Sequence, residues 1–158
     1  MIDSAYTQYL VNKFFTDGIA VYVKIMPEGI YLESTEIFPE MKGQILSLGP
    51  ARTRYVDHRM VCHSVNAIDA PDAQCSSCQR RKDCTAQMRL DLIHHRGILR
   101  FMLSCASLRN FMLFLSKLKQ QGISPKGALI TITVLNRGRW GELKFSFNRQ
   151  EVLNEFFR

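Results

Sequence analysis

Apolar and polar residues alternate with a period of two along much of this chain, and the period lengthens to that of a helix in a few places only. From Ile19 to Ile25 the apolar Ile19, Val21, Val23 and Ile25 interleave with Ala20, Tyr22 and Lys24, the pattern of a half-buried strand. Met26-Pro27-Glu28-Gly29 suits a type I turn, with a second strand returning over 30–33. Residues 42–56 predict two more strands, broken at Gly49-Pro50. Two β-type runs, 88–93 and 98–104, flank His94-His95-Arg96-Gly97, a four-residue hairpin loop. A last hairpin joins 129–135 to 140–147 through Asn136-Arg137-Gly138-Arg139.

Helical spacing is found first over Ser4–Phe15, where Tyr6, Leu10 and Phe14 form a stripe that Asp17-Gly18 ends. A stronger helix carries Leu108, Phe111, Met112, Leu115 and Leu118 on one side, with Ser107 as its N-cap and Gly122 and Pro125 at its end. A third, amphipathic stretch is expected at Glu151–Phe157. The fold class expected is mainly β (α+β): a small antiparallel OB-like barrel with one packed helix. Residues 1–158 are expected to form a single domain, with a polar, loop-rich metal-binding insertion at about 58–85.

Composition changes this picture little. With 46% apolar and 22% charged residues the chain has a globular balance. It has no apolar run of the roughly 18–20 residues that span a bilayer. The N-terminal residues carry no basic start followed by an apolar run, so a soluble, cytoplasmic protein without a membrane partner is expected. The net charge of +7 favours a polyanionic partner.

The cysteines change it more. Four of the five fall between Cys62 and Cys84, spaced C-x12-C-x2-C-x5-C through Cys75 and Cys78. A CxxC turn can place two thiolates on one ion, and the outer two close a tetrahedron with no open position, so a structural Zn2+ site is expected. Arg80, Arg81 and Lys82 would offset its negative charge, and His58 and His63 are substitute ligands. An iron–sulfur cluster is the alternative, because C-x2-C-x5-C resembles the close cysteines of cluster-stapled nucleases. Cys105, between strand and helix, is expected to be a buried packing residue.

With Ile130, Ile132, Val134, Leu143, Phe145 and Phe147 turned inward, alternation puts Thr131, Thr133, Glu142, Lys144 and Trp140 on the opposite face. Tyr22 and Lys24, and Tyr31 on the partner strand, fall with the polar set, and Tyr55 lies near Arg52 and Arg54 in sequence. Rings among cations are what single-stranded nucleic acid needs: bases stack while Arg137, Arg139 and the other cations follow the phosphates.

The run MRLDLI, then GILRFMLSCASLRNFMLFLSKLKQQGISPKGALITITV, then WGELKFSF resembles phage and plasmid single-stranded-DNA-binding proteins with an OB fold. In that family a hairpin leads into a helix of the S-x-x-N-F type, here Ser107 to Phe111, and some members carry a zinc subdomain inserted in the barrel. The resemblance implies a zinc-containing, non-catalytic protein that binds single-stranded nucleic acid, DNA before RNA, with low sequence specificity. The alternative is a protein-interaction subunit of a nucleic-acid-processing complex, docking through Val152, Leu153, Phe156 and Phe157. An enzyme is not expected. Asp91, His94 and His95 match no acid–base or metal spacing, and there is no phosphate loop, nucleophile elbow or zinc-deaminase pattern.

Overall fold

A computed structural model describes residues 4–18, 20–32, 36–68, 70, 74–75, 77–79 and 81–147. Helix α1 (Ser4–Asp17) leads into two short strands, β1 (Val21–Tyr22) and β2 (Lys24–Met26). There follow β3 (Gly29–Leu32), β4 (Glu36–Phe38), the long β5 (Glu40–Val56) and β6 (Arg59–Ser64). A 3-10 turn at Arg81–Asp83 precedes β7 (Thr85–His94), β8 (Gly97–Leu103), α2 (Cys105–Gln120), β9 (Leu129–Asn136) and β10 (Gly141–Phe147). The protein is mainly β, in the α+β class: one sheet ordered β1-β8-β7-β5-β9-β10 with β6 also on β5, and a small β2-β3-β4 sheet.

β5 organises this sheet. Its first residues pair with β9 (Glu40↔Thr133 to Gln44↔Leu129), its middle with β7 (to Thr53↔Thr85), and its end with β6 (Arg52↔Ser64 to Val56↔Arg59). The break expected at Gly49-Pro50 does not occur. Between Leu46 and Ala51 the strand has a paired neighbour only in β7, so one edge tolerates a residue that lacks an N–H. Leu46 lies on the opposite face from Ile45, as alternation requires, and a bulge between Ile45 and Ser47 brings Ser47 to that same face, opposite Asp91. The main core holds Ile45, Leu90, Leu92, Phe101, Ile132 and Leu143 under α2, while Leu46, Ile93 and Ile98 meet Tyr6 and Val11 of α1 behind the sheet. Of the stripe expected on α1, the side chains of Leu10 and Phe14 lie outside the described residues, as does the tail at 151–157.

α2 buries Phe111, Phe114 and Leu118, while Met112, expected in the stripe, faces solvent. The helix ends in the expected way: Gly122 adopts φ 70°, and Ile123 N–H reaches back to the Leu118 carbonyl. Its N-cap is Ser104, not Ser107. Ser107 instead accepts a hydrogen bond from Leu143 N–H at 2.9 Å, and Asn110 Nδ2 donates to the Leu143 carbonyl at 2.9 Å. The S-x-x-N motif thus closes the outer edge of β10. Cys105, expected to be buried, is exposed and starts α2 at φ 50°.

No closed barrel forms among the described residues. β1 lies parallel along β8 (Val21↔Leu99, Tyr22↔Arg100), Val23 N–H bonds the Arg100 carbonyl, and the chain continues as β2 against β10. A Cβ at Gly141 would collide with the Met26 carbonyl oxygen. Residues 21–26 therefore stand where β8 and β10 would otherwise have met. The insertion is also more ordered than expected at its start, where β6 pairs with β5 and carries Cys62.

Candidate nucleic-acid interface

The β7–β8 hairpin pairs Asp91 with Arg100, and β1 adds Tyr22 beside Arg100, so the three form a row across one face of the sheet. Ser47 of β5 continues the row next to Asp91. Asp91 is fully buried, yet Arg100 Nε and Nη2 reach its two carboxylate oxygens at 2.7 and 3.2 Å. Arg89 Nε lies 3.2 Å from Asp91 Oδ2 without hydrogen-bond geometry. The outer nitrogens of Arg89 bond the Val65 carbonyl (2.7 Å) and Ser47 Oγ (3.1 Å). For Arg100, burial works against the charge, but the hydrogen bonds it donates to Asp91 and Tyr22 outweigh it and raise its pKa. One carboxylate against two guanidiniums leaves the row with a net positive charge.

The guanidinium of Arg100 lies 5.6 Å from the Tyr22 ring centroid, while 51% of Tyr22 stays open to solvent. Lys24 and Tyr31 are cross-strand partners on the outward side of β2 and β3, because Ile25 and Ile30 point to the core. Next to them, through the Met26–Gly141 approach, stands the β9–β10 loop. There Arg137 N–H bonds the Trp140 carbonyl, Gly138 N–H bonds Asn136 Oδ1, and Trp140 is 48% exposed. Arg139 is exposed, as is Lys144, whose partner is Thr133. Arg137 is tied to buried Glu142 at 2.7 and 3.1 Å, which neutralises part of its charge.

The structure therefore brings the β2–β3 pair of Lys24 and Tyr31 towards the loop of Arg137, Arg139 and Trp140 through Met26, and sets Tyr22 apart, beside Arg100 on β8. It divides the other group, since alternation along β5 puts Tyr55 on the face of Thr53 and Ser47, and Arg52 and Arg54 on the opposite one. Arg52 Nε is buried without a hydrogen-bond partner. Arg96 is held by Glu36 through bonds of 2.6 and 2.8 Å. Sequence reasoning missed Arg89 and Arg100. The signal was present, because the hairpin loop expected at His94–Gly97 sets Asp91 opposite Arg100.

Asp91, His94 and His95 do not assemble a catalytic group. Asp91 is locked by arginines, and His94 is buried, its Nδ1 accepting from Arg96 N–H at 3.2 Å. Burial, then the charges of His95 and Arg96, lower the pKa of His94 to about 4.

None of the five cysteines is in a disulfide. Cys75 and Cys78 occupy a tight turn in which Ser77 N–H bonds the Gln74 carbonyl and Cys78 N–H faces the Cys75 carbonyl at 3.4 Å. This suits a zinc knuckle, and four thiols suit the metal. Cys62 is paired with Arg54 on one edge of β5, and Cys84 directly precedes Thr85 on the other edge. Among the described residues no three His, Cys, Asp or Glu side chains converge tightly enough to hold an ion. The fit is that of one knuckle, not of a closed cage.

No helix among the described residues is long and apolar enough to cross a membrane. Comparison with known proteins finds no matching family model, curated protein or solved structure.

Proposed function

We propose that this chain binds single-stranded nucleic acid, DNA before RNA, with low sequence specificity and without catalysis. The observation that carries the proposal is the half-exposed Tyr22 ring beside Arg100 on the β7–β8 face, where the largely buried guanidiniums of Arg100 and Arg89 outnumber the one carboxylate of Asp91. The chain order supports it: a long strand shared by two halves (β5), a hairpin (β7–β8), a helix and a second hairpin (β9–β10) is the order of a partly open OB-type barrel. In that fold the face of the second and third strands, with the loops after strands one and four, takes oligonucleotides. Those loops are here the cysteine insertion and the Arg137–Trp140 turn.

Tyr22, Tyr31, Tyr55 and Trp140 supply stacking surfaces, each worth about 1–3 kcal/mol per base. Lys24, Arg137, Arg139 and Lys144 supply phosphate contacts, and Arg52 and Arg54, on the opposite face of β5, fall outside this set. Within the proposal the Cys75–Cys78 knuckle would take zinc, with Cys62 and Cys84 as the further thiolates that would have to draw in to complete its shell, and the ion would shape the insertion without contributing chemistry to the ligand.

Anisotropy of a labelled oligonucleotide, titrated with salt, tests this function. Affinity should fall steeply as salt rises, through counterion release, and Tyr22→Ala and Trp140→Ala should each weaken it about tenfold or more. A flat salt response, or no binding at low salt, rejects the proposal. The alternative, a protein-interaction subunit, draws support from Met112 and Leu113 on the open side of α2. A defined co-purifying partner that is absent from preparations of Met112→Ser/Leu113→Ser would favour it.

A further inference from the structure

The last paired residue between β5 and β7 is Thr53. Beyond it β5 and β6 continue alone, as a two-stranded ribbon reaching about 10 Å past the sheet. Asp57 and His58 close it at φ 51° and 63°, both in the left-handed region, a two-residue turn that matches the strand twist and keeps the tip narrow. Neither residue is glycine, so the turn is held against local strain.

Apolar side chains crowd this tip although they stay about half exposed among the described residues. Tyr55 and Met60 form a cross-strand pair on one side, 55% and 57% exposed. On the other side Val56, 48% exposed, is paired with Arg59. Val61 is the extra residue of a bulge opposite Arg54 and Tyr55, which increases the twist of the ribbon. From Arg52 to Ser64 the hairpin carries three arginines and two histidines against one carboxylate, Asp57.

We infer that this hairpin is a wedge that enters nucleic acid where a duplex opens into single strands. A docking site for a protein would gather its apolar residues on one face. Here they lie on both sides of a thin ribbon among arginines, which suits insertion between two polyanionic strands with apolar side chains against the last base pair. The inference rests on the single-strand binding proposed above and adds a preference for junctions and an unstacking activity.

The test compares a labelled single strand with the same strand as the tail of a hairpin duplex, carrying 2-aminopurine at the junction. The full-length protein should bind the tailed duplex roughly tenfold more tightly than the plain strand, and the 2-aminopurine should brighten as its neighbours unstack. Val56→Ser/Met60→Ser should bring the preference to within about twofold, with plain-strand affinity unchanged, and Met60→Leu should keep it. Both positions are exposed, and circular dichroism checks that the variants fold. Equal affinity for the two substrates, a dark 2-aminopurine, or a preference that survives the double substitution overturns the wedge. So does self-association, or binding to another protein, that the double substitution abolishes while the junction preference stays intact. Absence of plain-strand binding instead rejects the function proposed above, and the 2-aminopurine signal then judges the wedge on its own.

Discussion

Asp91 is fully buried and has two arginines, Arg89 and Arg100, within 3.2 Å. Removing its charge while keeping its shape leaves both cations facing a neutral amide in a desolvated place. Asp91→Asn should therefore destabilise the protein by about 3–5 kcal/mol, read from urea unfolding with an unchanged denaturant slope. His94 presents the opposite case, a group kept neutral by burial and by positive neighbours. Its folded pKa of about 4 lies below that of an unfolded histidine, about 6.5, so the unfolded chain takes up the proton first as pH falls. This contribution to stability is fully present above about pH 6.5 and is lost as pH drops towards about 4. Urea midpoints measured across that window should decline, and His94→Gln should remove that part of the decline. A midpoint that stays level in the native protein would contradict the assignment.

At the scale of elements, α2 and β10 explain each other. The free edge of β10 would expose the N–H and carbonyl of Leu143, and Ser107 and Asn110 from the helix satisfy both. Asn110→Ala leaves a part-buried carbonyl without its donor and should cost about 1–3 kcal/mol; Ser107→Ala should cost a similar amount for the amide. Thermal and urea unfolding measure this, and amide exchange at Leu143 should quicken in Ser107→Ala. The helical period alone admits Met112 as readily as Phe114 to the buried side. The decision falls to Phe114 because its ring meets Phe111 and Phe145 at 6.1 Å, whereas Met112 has no sheet opposite it. The same rule governs β5: Gly49-Pro50 reads as a break in isolation, and only its one-sided pairing removes the reason for one.

For the whole molecule, the paired strands and the helix-covered core are formed by residues outside the cysteine loop. Loss of the proposed zinc should accordingly leave the sheet intact and loosen the segment between β6 and β7. Elemental analysis of reduced protein should find one zinc per chain. A chelator, or Cys75→Ser/Cys78→Ser, should speed proteolysis between residues 65 and 84 while the cooperative unfolding of the sheet persists. A reduced protein without stoichiometric metal would remove zinc from the account and leave the β7–β8 face untouched.

Local periodicity determined most of the strands, both turns around Pro27 and Gly138, the main helix and the outward set Tyr22, Lys24 and Tyr31, because alternation and helical spacing are properties of neighbours in sequence. It could not decide which edge of β8 would be occupied, that residues 21–26 would stand between β8 and β10, or that Tyr55 would face away from Arg52 and Arg54 in the folded sheet. Those outcomes depend on pairing between residues far apart in the chain, where one strand's register fixes the face and neighbours of the next. The charged row of Tyr22, Arg100, Asp91 and Arg89 is of the same kind: three separate strands supply it, and only their packing makes it one surface.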